Sequence, residues 1–462
     1  ILTSFLTVLI STWLPARKLS KMTPLEAIKN TGELQLKRRK KSRILALLFG
    51  TEGELAGNAL KAQKKSLRTA TLSLTLSFLG FALMLSFFTL SGISTNHTYF
   101  ERYQDAWDVM ATLEDTKIED FSHTEEIHAL TDTDSVIYQK ATAVCSVPTD
   151  AVSEEVKSLG GLETIAGSNV SMVDGIYTIQ APIVIMDDNS FAMYCEQIGV
   201  SSAENGSVVL NRIWDDINSN FRCKEYVPFL SENQDTMTLQ NLEDAAATVE
   251  IPVLGFTKEP PVLREEYDNY ALVQFVSLST WKQIGETIGN AEPDTYIRIL
   301  SEKERTLTEL SMIETELTNV LGHDISFEVE NRIQEKIDND AMLNGYKLII
   351  GALCVLLAFI GIANVFSNTL GFIRQRKREF ARYMSIGMTP EGMRKMFWIE
   401  ALVIAGRPVL ITLPIAVVFV WLMIAASYLN PMEFLAVAPI VPILLFIVAL
   451  FGFVALAYYL GG

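Results

Sequence analysis

Residues 374–396 read RQRKREFARYMSIGMTPEGMRKM. Seven Lys and Arg stand there against two Glu, a local net of +5 in a chain whose formal net charge is -16. The stretch lies between two apolar runs and carries the punctuation of a helix, a tight turn and a second helix. Residues 374–385 contain neither Pro nor Gly and can extend the preceding apolar segment as helix. Gly387 is a suitable stop, because glycine takes the left-handed conformation of a helix end without steric cost. Thr389 then suits the N-cap, Pro390 the first helical position and Glu391 the first turn, so a second helix starts at once. Ile386 and Met388 flank the turn, and apolar side chains at the tip of a short elbow suit a partner's groove. On charge alone the stretch reads equally well as a loop whose basic residues only set membrane topology.

Apolar residues make up 49% of the 462 and are clustered, so membrane spans must be located before domains are counted. Four runs, 70–93, 344–372, 401–429 and 434–460, each supply at least the roughly 20 apolar residues that cross about 30 Å of hydrocarbon as helix. The opening ILTSFLTVLISTWL, residues 1–14, is halted by Pro15, Arg17 and Lys18. It is read as the end of a transmembrane helix that begins before the sequence does, and the close at Gly462 after an apolar run implies a fragment at both ends. Residues 15–68 hold 14 Lys and Arg against 4 acids, whereas 97–342 hold 15 against 46, a net of -31. Lys and Arg near span ends keep a loop on the cytoplasmic side, which puts residues 15–69 and the elbow, 373–400, inside. One helix separates each from the acidic block, so residues 94–343 lie outside.

The acidic block alternates strand and helix patterns. Residues 108–113, 135–147, 177–186, 247–255, 271–276 and 295–300 are short and rich in Val, Ile and Tyr; 190–198, 279–288 and 302–320 read as helices, the last starting from a capping box of Ser301 and Glu304. The expected fold is therefore a membrane α-helical bundle, four full transmembrane helices plus a partial one. A large extracytoplasmic α+β domain is inserted between the first and second full helices. The charged run 328–340 and residues 99–107 read as helices that continue out of the bilayer at the two ends of that domain. Such stems would connect domain movement to the spans without a slack linker; ordinary solvated linkers are the alternative. Cys145, Cys195 and Cys223 are an odd set outside, compatible with one disulfide or none.

The sequence offers little for catalysis. It contains no GxxxxGK[ST] phosphate loop, no HExxH metal face and no GxSxG elbow. His97, His123, His128 and His323 are read as surface residues, no metal site is expected, and the chain is read as not an enzyme. Two ionisable residues at the third apolar run stand out, because a charge at the bilayer centre costs about 2.5 to 3.5 kcal/mol on insertion scales. Glu400 falls at the cytoplasmic membrane edge. Arg407, about 10 Å deeper at 1.5 Å per residue, either faces a helix interface or cavity and contributes to gating, or snorkels. Pro408 and Pro414 weaken the helix beyond it.

The run ANVFSNTLGFIRQRKREFARYMSIGMTPEGMRKMFWIE, residues 363–400, closely resembles the FtsX-like, MacB-type permease family of ABC transporters, particularly members from Gram-positive bacteria. Arg378, Glu379, Phe380, Ala381, Ser385, Gly387, Met388, Thr389 and Glu400 carry the likeness. LPARKLSKMTPLEAIK, residues 14–29, resembles the close of a permease repeat, and ELAGNALKAQKKSLRTA, residues 54–70, the amphipathic lead-in to the next. Tyr383 and Met384 depart from the usual leucine-like pair, and Arg407-Pro408 interrupts a stretch that is often Gly-rich and uncharged.

The resemblance implies a plasma-membrane subunit without a cofactor of its own, working with a cytoplasmic ABC ATPase dimer that binds ATP and Mg. It makes Arg378, Glu379, Phe380, Ala381, Arg382, Ser385, Ile386, Gly387, Met388, Thr389, Pro390 and Met393 the ATPase-coupling elbow. It also implies that hydrolysis moves the external domain, an action called mechanotransmission, for the export or removal of peptides, lipids or other amphiphiles. A non-transporting scaffold that regulates a cell-wall hydrolase or sensor kinase is the alternative. No nucleic-acid partner is expected, and the acidic exterior either favours cationic ligands such as antimicrobial peptides or serves solubility alone.

Overall fold

The computed structural model describes residues 13, 43–62, 64–102, 104–202, 204–302, 305–322 and 325–461. Apart from Trp13, the helix end expected at 1–14 and the basic run 15–42 lie outside the described residues, as do Glu304 and His323. The packing divides the chain into two units, one made of residues up to Ser91 and from Gly345 onward, the other of Gly92–Asn344.

The first unit is helical. It holds α1 (Arg43–Ala62), α2 (Lys64–Thr95) up to Ser91, α3 (Arg332–Gln375) from Gly345 onward, α4 (Lys377–Ser385), α5 (Pro390–Ala426), α6 (Pro431–Val437) and α7 (Ile440–Gly461). Among the described residues three stretches are helical, long and apolar enough to cross a membrane: Thr71–Glu101, Pro390–Ala426 and Ile440–Leu460. The expected span 344–372 lies within α3. Phe78 and Phe446 stack at 4.7 Å between α2 and α7, and Ile362, Val365, Ile404, Leu450 and Val454 join them in one buried cluster. Leu410, Val417, Trp421, Leu445 and Val448 stay exposed. Apolar side chains on both the inside and the outside of a helix pair suit hydrocarbon rather than water. Gly361 lets α3 approach α2 closely, since a Cβ there would meet Leu74 Cδ1 at 3.3 Å and Ser77 Oγ at 3.5 Å.

Two expected boundaries move. The elbow's second helix and the third apolar run are one element, because α5 runs unbroken from Pro390 through Pro408 and Pro414 to Ala426. The run expected as one helix over 434–460 is cut after Val437, where Ala438 takes an extended conformation. Pro439 forces this, since the residue before proline is driven out of the helical region.

The second unit is α+β. Its strands are β1 (Val109–Leu113), β2 (Thr133–Ala141), β3 (Ala143–Pro148), β4 (Val170–Val173), β5 (Ile176–Gln180), β6 (Ile183–Met186) and β7 (Ser207–Leu210), a short pair β8 (Ile213–Trp214) and β9 (Tyr226–Val227), then β10 (Thr236–Asn241), β11 (Thr248–Thr257), β12 (Gln274–Ser277), β13 (Ala291–Ser301) and β14 (Phe327–Asn331). Twelve of them form one sheet in the order β14-β1-β13-β2-β6-β12-β7-β11-β10-β3-β5-β4. Among the described residues β6–β12 and β7–β11 pair in parallel and the other strand pairs are antiparallel. Strand alternation builds a core on each face: Ile137 and Ala141 of β2 join the larger cluster with Trp281 and Leu310, while Val136 and Tyr138 join Phe191, Tyr194 and Phe275.

The chain enters and leaves this unit side by side, since β1 pairs with β14 and sets Val109 opposite Asn331. Asp108 is fully buried between them and accepts from Arg332 Nη2 at 2.6 Å, Arg305 Nε at 3.0 Å and the Ser301 backbone N–H at 3.0 Å. Before β1, a π-helical turn at Asn96–Glu101 prolongs α2, and Tyr99 Oη donates to Glu335 Oε2 of α3 at 3.0 Å.

Several sequence expectations are corrected here. The strand expected at 135–147 is two, separated at Thr142, whose N–H donates to the Asn290 carbonyl as the chain passes from one part of the sheet to another. The strand at 177–186 is likewise split before Pro182, which lacks the N–H a ladder needs. The helix expected from residue 302 spans Leu307–Leu321 and is capped by Thr306, whose Oγ1 accepts from the Glu309 N–H at 3.3 Å. Ser301 instead ends β13. Of the run 328–340 expected as helix, residues 328–331 belong to β14 instead and the helix starts at Arg332, and the prolongation of α2 stops at Glu101 rather than continuing to Trp107. Cys145, Cys195 and Cys223 are free thiols.

Candidate functional site

The basic elbow is a helix, a turn and a helix, as its punctuation predicts. α3 ends at Gln375, Arg376 adopts φ -97 and ψ 5, and α4 follows. Gly387 sits at φ +100, a conformation costly for any side chain with a Cβ. Thr389 caps α5, its Oγ1 accepting from the Gly392 N–H at 3.2 Å, and Pro390 occupies the first turn.

The side chains of the elbow sort into two sets. Arg378, Ala381, Arg382, Ser385, Thr389 and Pro390 are exposed, and Ser385 Oγ donates back to the Ala381 carbonyl at 2.8 Å. Ile386 is 82% and Met384 55% exposed at the tip. Phe380 and Met393 are buried, and Met388, expected at the tip beside Ile386, is half-buried against the helical core instead. The turn places Ile386 and Met388 on opposite sides, so the apolar tip is Met384 with Ile386.

Behind the tip lies a polar cluster. Glu400 is fully buried and Arg376 is 2% exposed. Arg376 Nη1 donates to Glu400 Oε1 at 2.8 Å and Oε2 at 3.0 Å, while its Nε donates to Glu379 Oε2 at 2.8 Å. Tyr458 Oη of α7 donates to Glu400 Oε2 at 2.9 Å, and Tyr383 Oη donates to Glu379 Oε1 at 2.5 Å. The guanidinium lies between the rings of Phe372 and Phe380, 4.7 and 4.8 Å from their centroids. Burial pushes the Glu379 carboxyl up, and the hydrogen bonds from Arg376 and Tyr383 more than offset this, so it sits below its ordinary carboxylate range.

One guanidinium therefore joins α3, α4, α5 and, through Tyr458, α7. A buried ion pair adds little net stability compared with apolar side chains of the same size, because both charges lose water; its best-attested use is to select one arrangement. Here it ties the elbow to the helical core. Lys395 Nζ adds a surface contact to Glu52 Oε2 of α1 at 3.5 Å.

The two ionisable residues of the third apolar run differ. Glu400, expected at the cytoplasmic membrane edge, is the buried partner of Arg376. Arg407, read either as facing a helix interface or cavity or as snorkelling, is exposed on α5, and no helix of the described residues covers it, which goes against the first of those readings. Arg376 and Tyr458 were not singled out in the sequence: Arg376 is one of seven basic residues in its stretch, and Tyr458 one of many apolar-run aromatics. The i,i+3 spacing of Arg376 and Glu379 was the available hint.

Residues 349–461 match the family described as FtsX-like permease C-terminal. This segment is an FtsX-like permease domain. The match runs from inside α3 through the elbow to the end of α7, so it contains the whole Arg376 cluster. The match supports an ABC-transporter-type permease, a class that works in general with an ABC ATPase. Over 53% of its length it is also similar to 98% of a solved structure titled the periplasmic region of MacB from Actinobacillus actinomycetemcomitans, at 13% identity and a TM-score of 0.26. No curated protein matches the sequence.

Proposed function

We propose that this FtsX-like permease receives a separate cytoplasmic ABC ATPase dimer on its basic elbow, and that ATP hydrolysis there drives movement of the Gly92–Asn344 unit outside the membrane. In this reading ATP and Mg belong to the ATPase, the chain itself catalyses nothing, and residues 344–372 supply a fourth span. The observation that carries it is the pairing of an apolar tip, Met384 and Ile386, with the buried Arg376–Glu400 contact behind it. A partner pushing on a tip held this way moves the helices instead of bending the turn. The cargo class we assign is peptides, lipids or other amphiphiles. The net of -31 over residues 97–342 raises the local concentration of cationic ones.

The test is coexpression of the full-length permease with the ATPases encoded beside it, followed by capture and measurement of ATP hydrolysis in liposomes. Ile386→Asp with Met384→Asp is expected to abolish capture while leaving insertion and folding intact. Undiminished capture by that variant would return the elbow to a topology-setting loop. Hydrolysis stimulated by a cationic peptide would favour transport, whereas copurification of a hydrolase or kinase would favour the scaffold.

A further inference from the structure

Within the Gly92–Asn344 unit, β4 closes the twelve-stranded sheet at the edge opposite β14 and pairs only with β5 among the described residues. It turns into β5 through Asp174 and Gly175, at φ +51 and +79. Two positive angles of this kind make a tight hairpin turn, whose flanking residues exchange both hydrogen bonds. Val173 and Ile176 are that pair. Pro148 of β3 agrees, since it stands opposite Ile176 where a residue without an N–H loses no ladder bond. Alternation then turns the backbone N–H and C=O of Val170 and Met172 away from β5. Neither residue makes a backbone hydrogen bond elsewhere among the described residues.

Nothing blunts this edge. Sheet edges are ordinarily protected by lysine, proline or a bulge, whereas β4 reads Val-Ser-Met-Val and keeps an unbroken register with β5. Val173 is 68%, Met172 48% and Ile176 46% exposed. Val173 and Ile176 stand on one face of the hairpin, Met172 and Tyr177 on the other.

The rim of the edge is acidic. Residues 149–180 hold five acids against a single base, Lys157, whose Nζ is taken by Glu154 Oε1 at 2.9 Å. Asp174 lies in the turn itself, and the Thr149 N–H donates to the Gly175 carbonyl at 3.1 Å, which brings exposed Asp150 beside it. Burial, and after it the Glu163 carboxylate, push the Tyr177 hydroxyl up, so Glu163 stands near the other face. Two copies of this chain joined edge to edge would set such acids against one another. An extended segment that alternates apolar and basic residues meets both the open backbone and the charge.

We propose that the open edge of β4 takes up a cationic peptide in extended form, added as a further strand on the backbone of Val170 and Met172, with its basic side chains toward Asp150, Glu163 and Asp174. The inference rests on the cationic-peptide part of the cargo reading above and is independent of ATPase coupling.

The test titrates the full-length protein, in neutral detergent, with a short peptide of alternating lysine and valine and with its glutamate and valine counterpart. The lysine peptide is expected to bind at least about tenfold more tightly, with an affinity that falls as salt is raised, and to slow amide exchange at Met172. Met172→Pro removes the outward N–H without touching the β4–β5 ladder, and Val173→Lys puts a repelling charge at an exposed position; together they should weaken binding about tenfold or more. Undiminished binding by the folded double variant, or binding that leaves exchange at Met172 unchanged, would overturn the edge as the site and leave the cargo reading standing. Equal binding of the glutamate peptide would overturn the proposed selectivity for cations. No binding of the lysine peptide by the parent chain would overturn both the site and the cationic-peptide reading. Self-association that Val173→Lys abolishes, with no peptide bound, would replace the proposal by strand pairing between copies. Should the double variant fail to fold, Ser171→Lys and Val173→Lys are titrated singly; a loss of about threefold in each supports the site, and no loss in either overturns it.

Discussion

Arg376→Met isolates what the buried pair does. Methionine fills a similar volume between Phe372 and Phe380, and its thioether is compatible with aromatic neighbours, so packing changes little. The electrostatic change is large. Glu400, fully buried, loses both contacts from Arg376 Nη1, at 2.8 and 3.0 Å, and keeps Tyr458 Oη at 2.9 Å, while Glu379 loses its contact at 2.8 Å. Breaking a buried pair by removing one partner costs about 3 to 5 kcal/mol, because the other charge is left uncompensated. Removing both, as in Arg376→Met with Glu400→Leu, should restore stability to within about 1 to 2 kcal/mol of the parent. Reversible unfolding of the full-length protein in mixed micelles, titrated with a denaturing detergent, measures both numbers. ATPase capture by the double variant then separates stability from orientation: if the pair selects one elbow arrangement, the double variant folds but captures poorly. A loss below about 1 kcal/mol for Arg376→Met, or a double variant no better than the single, would refute the reasoning.

Gly361→Val should destabilise the helical unit by about 1 to 3 kcal/mol by overpacking against Leu74 and Ser77, whereas Gly361→Ala should cost less because Leu74 Cδ1 can yield; the same detergent titration compares them. Asp108→Ala leaves Arg332, Arg305 and the Ser301 N–H without their shared acceptor and should lower the stability of the Gly92–Asn344 unit by about 3 to 5 kcal/mol, read as faster amide exchange in β1 and β14. Glu379, with its carboxyl depressed in the folded protein, contributes stability that is fully present above its unfolded value of 4.5 and is lost as pH falls through the lower folded value. Tyr383→Phe removes one of the two donors responsible and should shrink that acid-side loss, measured as the difference in stability between neutral and acidic pH.

The sequence alone determined the parts of this protein that depend on neighbouring residues. Long apolar runs locate the membrane helices because hydrocarbon tolerates no unsatisfied backbone. Gly387, Thr389 and Pro390 place the elbow's turn because stop, cap and first-turn preferences act within four residues. Short β-branched segments located most strands of the Gly92–Asn344 unit for the same reason. Tertiary structure decided the rest. Nothing local distinguishes Arg376 from the six other basic residues around it; it turns inward because Glu400, 24 positions on, and Phe372 and Phe380 enclose it. Tyr458 joins from 58 positions beyond Glu400. Met388 packs inward while Ile386 faces out, although both flank the same glycine. The same holds for Asp108, whose partner Arg332 is 224 residues away, and for a sheet order in which chain neighbours such as β2 and β3 lie far apart. Local preference acts through the backbone of a few residues, whereas the partner of a buried charge is chosen by which surfaces the whole fold brings together and removes from water.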